Sequence, residues 1–140
     1  MPNINDGPLG MFTLFPIKWT TASMSVGTMT AGWITGAPIV VLNNSGATPG
    51  TQTTRTATEL IADGNLQKGQ TWLIAIFNSV TTNALTVGAG AGVTLAGAAQ
   101  TVAGFSCRLW QATVMDVTTP AITMTALFAF GASTSFASIA

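Results

Sequence analysis

Histidine and tyrosine are absent, cysteine occurs once, and four basic and four acidic residues are all the charge in 140 positions. Each shortage excludes something. Without histidine, the chain lacks the commonest general base and the commonest metal ligand. A lone Cys107 excludes an intrachain disulfide and a cysteine-built zinc cage. Lys18, Arg55, Lys68 and Arg108 are scattered, whereas phosphate binding needs clustered cations, so nucleic acid is not an expected partner. Charged residues make up 6% of the chain, against about 25% in ordinary soluble domains. The net charge is zero, whereas soluble monomers usually carry a net charge that holds neighbours apart. The surface must then be built of Thr, Ser, Asn, Gln and Ala, or be covered by other subunits; both are expected.

The length suits one domain. Residues 1–18 read as an N-terminal arm rich in proline, asparagine and glycine, and residues 19–140 as a single β domain. The arm does not read as a signal peptide: it lacks a basic leader, carries Asp6 and is interrupted by Pro2, Pro8 and Pro16. The uncharged run Val117–Ala140 is long enough to span a membrane. Its Thr and Ser content, Pro120, Gly131 and alternating apolar residues favour a strand, so no membrane partner is expected.

What is present is β-forming. Met11–Ile17 and, more weakly, Thr20–Thr30 read as strands, as do Ala31–Gly36 and Pro38–Leu42. Asn43–Gly50 is a loop, and Thr51–Thr58 suits a solvated extended edge. One helix start stands out. Thr56-Ala-Thr-Glu59 fits a capping box, Leu60 and Ile61 supply apolar contact, and Gly64 is a natural stop. Thr71–Phe77 (TWLIAIF) is apolar on both faces and reads as a central strand. Leu85–Val87 and Val93–Leu95 flank a glycine corner, and Ser106–Met115 is a long strand. Asp116–Pro120 is a turn, and Ala121–Phe130 alternates, with Ile122, Met124, Ala126, Phe128 and Phe130 on one face. Short strands punctuated by turns predict an all-β fold, a β-sandwich or jelly-roll/barrel-like domain with one short helix.

The candidates for chemistry fall away on inspection. Gly88-Ala-Gly-Ala-Gly92 invites a dinucleotide-binding reading, but the third glycine of that fingerprint falls on Val93 and a strand follows instead of a helix. A glycine corner between strands is the better reading. Cys107 has no base and reads as a small buried hydrophobe. Glu59 is explained by the helix cap, Asp63 beside it makes a weak catalytic pair, and Asp6 and Asp116 sit near turns. No run has the oxygen-ligand spacing of a calcium site. Asn43-Asn-Ser45 is a glycosylation sequon, with meaning only on a secretory route. Catalytic, metal and cofactor residues are therefore none. Of four tryptophans, Trp72 and Trp110 lie in strong strand patterns and are expected in the core, while Trp19 and Trp33 are expected at an interface.

The stretch Thr30–Phe130 resembles small structural proteins carried on the virions of tailed bacteriophages. The first half is similar to the family's segment "ITG…VVL…SGATPGTQTTRTATELIAD", here Ile34–Asp63. The second half carries a hydrophobic strand ending in Phe77-Asn78, an "LTV-x-AG-x-GVTL-x-G" run at Leu85–Gly97, a "TVA" step at Thr101–Ala103 and an Arg-bearing strand at Cys107–Trp110. The resemblance implies a non-enzymatic all-β capsid decoration (cement), head-spike or tail-associated protein, usually a homotrimer. It implies two partners, the chain itself and the major capsid protein, and a place on the capsid surface of the virion. The apolar N-terminal arm and the four tryptophans depart from the family pattern. Phe12, Phe15, Trp19 and Trp33 are the residues expected at the oligomer or capsid interface, because an extended arm can add a strand to a neighbour's sheet edge. The alternative is a tail or spike module that binds host glycan through an aromatic platform.

Overall fold

The fold was analysed on a computed structural model, which describes residues 16–97 and 100–131. In chain order the elements are β1 (Ile17–Ala22), β2 (Gly27–Thr28), α1 (Ala31–Ile34), β3 (Ile39–Asn44), β4 (Thr51–Thr53), α2 (Ala57–Gly64), β5 (Thr71–Asn78), β6 (Leu85–Gly88), β7 (Val93–Gly97), β8 (Thr101–Val102), β9 (Ser106–Asp116) and β10 (Ala121–Gly131). The chain is therefore mostly β, as its composition predicts. A six-stranded sheet has the order β1-β3-β5-β9-β10-β7, and a four-stranded sheet the order β2-β4-β6-β8.

The first six strands alternate between the two sheets. β1, β3 and β5 run parallel in the large sheet, and β2, β4 and β6 run parallel in the small one. The second half adds antiparallel pairs, β9 with β5, β10 with β9 and β8 with β6, and one parallel pair, β7 with β10. Alternation within strands decides what lies between the sheets. In β5, Trp72, Ile74, Ile76 and Asn78 are buried, while Leu73, Ala75 and Phe77 are less so. The same parity buries Val40, Leu42, Trp110, Ala112, Val114, Ile122 and Met124 in one core with Leu85, Val87 and Val102 of the small sheet. Met24, Met29, Ile34, Ala57 and Leu60 complete it from loops and helices. Trp72 and Trp110 are 4% and 0% exposed, as their strand patterns predict.

Two buried asparagines fasten the edge of this core. Asn44 Oδ1 accepts from the backbone N–H of Met24 (2.9 Å) and Gly46 (2.8 Å), and Asn44 Nδ2 donates to Asn78 Oδ1 (3.1 Å). Asn78 Nδ2 donates in turn to the carbonyls of Asn83 (2.7 Å) and Val102 (3.2 Å). Three loops are thus tied to two adjacent strands by side chains that water cannot reach.

Several local expectations are corrected. Ala31–Ile34 is a helical turn, so the described residues hold two short helices. The cause is tertiary. Lys18 Nζ donates to the carbonyls of Gly32 and Thr35, and Trp72 Nε1 donates to that of Ile34 (2.7 Å), satisfying the end of the turn. Thr51–Thr53 is an interior strand of the small sheet and not an edge. β1 starts at Ile17, two residues inside the expected arm. In β10 the expected alternation holds to Ala126 and then breaks at a register shift, which leaves Phe128 49% exposed instead of in the core. The expected strand before Ile17 and the tail after Gly131 lie outside the described residues.

Other expectations match. The capping box is complete: Glu59 N donates to Thr56 Oγ1 (3.2 Å) and Thr56 N to Glu59 Oε2 (3.1 Å). The stop is one residue late, with Asn65 and not Gly64 in the left-handed conformation (φ 48°). β5 is central, and Ala121–Gly131 is a strand. No helix among the described residues is long and apolar enough to cross a membrane.

Candidate functional site

The described acidic groups each accept a hydrogen bond from the chain itself. Glu59 closes the capping box, where the Thr56 backbone N–H and then its hydroxyl hold the carboxyl below its ordinary value. Asp63 accepts from Thr35 Oγ1, and Asp116 accepts from the backbone N–H of Thr118 (2.9 Å). Among the described residues no three potential metal ligands cluster. Cys107 is 6% exposed, and burial pushes its thiol up to about 11, which is an inert thiol and not a nucleophile. A pocket of about 270 Å³ lined by Thr35, Pro38, Leu66, Gln70 and Trp72 has no ionisable side chain in its wall.

The glycine run is a corner, as expected, and it crosses between the sheets from β6 to β7. Gly90 N donates to Thr54 Oγ1 (2.9 Å), and a Cβ at Gly90 would fall on the carbonyl oxygens of Thr54 and Arg55. Glycine is required there by the chain's own backbone; that amide is already spent and offers nothing to a phosphate.

What remains is the outer face of the six-stranded sheet. The register aligns its outward residues in rows. One row is Ile17, Ile39, Leu73 and Gln111. The next is Trp19, Val41, Ala75 and Leu109, and the third is Thr21, Asn43, Phe77 and Cys107. A fourth, Thr71, Thr113, Thr123 and Thr94, forms a threonine ladder beside them. Lys18 and Arg108, the two cations within these strands, have the inward parity; Lys18 caps α1 and Arg108 Nε donates to the Thr101 carbonyl (2.7 Å). The outer face therefore carries apolar and neutral polar side chains and no charge.

Its exposure is uneven. Trp19 is 67% exposed, Ile17 54%, Phe77 41% and Leu127 40%. Trp19 and Phe77 stack with ring centroids 6.4 Å apart and planes 19° apart, and Val41, the register partner of Trp19, is 7% exposed. Asn43 is half-buried opposite Phe77, and its side chain makes no hydrogen bond to the described residues. Phe105, at the turn into β9, is 57% exposed and holds a positive φ of 52°.

Of the four expected interface residues, the structure places Trp19 on this face. Trp33 is half-buried in α1 and packs against the core. Phe12 and Phe15 lie outside the described residues. Phe77, Ile17 and Leu127, not among those expectations, are also exposed. Their signal was present in TWLIAIF: a strand apolar on both faces has two surfaces to cover, and the core covers one. Comparison with protein-family models, with curated proteins and with solved structures finds no match to this chain.

Proposed function

We propose that this protein is a non-enzymatic structural subunit that works by association: a β-sandwich decoration protein that assembles with copies of itself, as a homotrimer, and binds the major capsid protein on the outer surface of a virion. The observation that supports it is the uncharged outer face of the large sheet, with Trp19, Phe77, Ile17 and Leu127 exposed on it. Exposed contiguous apolar surface of this kind marks interaction sites. An uncharged face suits self-association in particular, since a second copy brings the same residues and no like charges meet. Binding only to the assembled shell would stabilise it by mass action. Light scattering on the purified chain, followed by co-sedimentation with capsids, tests this. Stable oligomers that pellet with shells are expected; a monomer at every concentration that leaves capsids untouched would overturn it.

A second reading has its own support. The near-parallel Trp19 and Phe77 rings, beside Thr21 and an Asn43 amide with no side-chain hydrogen bond to the described residues, have the chemistry of a neutral saccharide platform, as in a tail or spike module that binds glycan. A glycan array gives the decision: hits abolished by Trp19→Ala favour this reading, and a blank array removes it.

A further inference from the structure

We draw no further inference here: the strongest candidate, the cavity of about 270 Å³ between the α1–β3 and α2–β5 links, has the Trp72 Nε1, Thr35 Oγ1 and Gln70 Oε1 atoms of its lining residues already bonded within the chain, so nothing in the structure shows what would occupy it.

Discussion

Asn43 and Asn44 are neighbours in sequence and opposites in structure, and replacing each by alanine tests the assignment of the sheet's two faces. Asn44 is 0% exposed; its loss orphans the N–H groups of Met24 and Gly46 and removes the donor to Asn78 Oδ1. Asn78 Oδ1 keeps a weaker partner, the N–H of Val80 at 3.3 Å. A buried group left without its hydrogen bond costs about 1–3 kcal/mol, so Asn44→Ala should lose about 3–5 kcal/mol, less about 1–2 kcal/mol if water enters the vacated space. That is a large part of the roughly 5–15 kcal/mol that holds a domain folded, and corresponds to a fall in Tm of about 10 °C. Asn43 faces outward and makes no side-chain hydrogen bond to the described residues, so Asn43→Ala should fall within about 0.5 kcal/mol of the parent. Urea denaturation at several protein concentrations separates folding from association. A double-mutant cycle with Asn78→Ala should return a coupling of about 0.5–3 kcal/mol. Equal effects at positions 43 and 44, or no coupling between 44 and 78, would refute the register from which both faces are read.

Further outcomes follow from the same geometry. Gly90→Ala should destabilise by about 2–3 kcal/mol, because the new Cβ meets two backbone carbonyls that cannot step aside; equilibrium unfolding measures it, and a neutral effect would reopen the reading of the glycine run. Cys107, raised from 9.0 to about 11, should react with a disulfide reagent at pH 8 about a hundredfold more slowly in the folded chain than in denaturant. The sign in alkali follows: the unfolded thiol ionises first, so stability is full below about pH 9 and declines as pH rises toward the folded value. Thr56→Ala should cost about 1 kcal/mol by uncapping α2. The paired effect runs the other way in pH: Glu59 has a lowered value when folded, so its contribution is complete above its ordinary value and fades as pH falls through the folded one. An acid titration of stability that is unchanged in Glu59→Gln would contradict that assignment.

How much of this was legible in the sequence depends on the range of the forces involved. The capping box was readable because its partners lie three residues apart, and β5 because it is a continuous apolar run of strand length. Ala31–Ile34 was misread because its turn is held by Lys18 and Trp72, which nothing in the local pattern announces. Thr51–Thr53 looked solvated because threonine is neutral evidence; its place inside the small sheet is set by β2 and β6, far away in sequence. The alternation of the first six strands between two sheets was invisible for a related reason. Helix α2 lies between β4 and β5 but no helix between β2 and β3 of comparable length, so the successive crossings do not recur at a fixed spacing.

The outer face is the instructive case. Central strands covered on both sides are usually read as belonging to a layer of helices or a second sheet on each face. Here the four-stranded sheet and both helices contribute to one core, on one side only. The apolar outward residues of β3, β5 and β9 are therefore in excess of what the described fold buries. A chain with so little charge cannot dilute that excess with lysine and glutamate, as ordinary surfaces do. Composition and topology thus agree from independent directions: among the described residues the outer face of the large sheet is apolar and neutral, as a chain with so few charged residues leads one to expect.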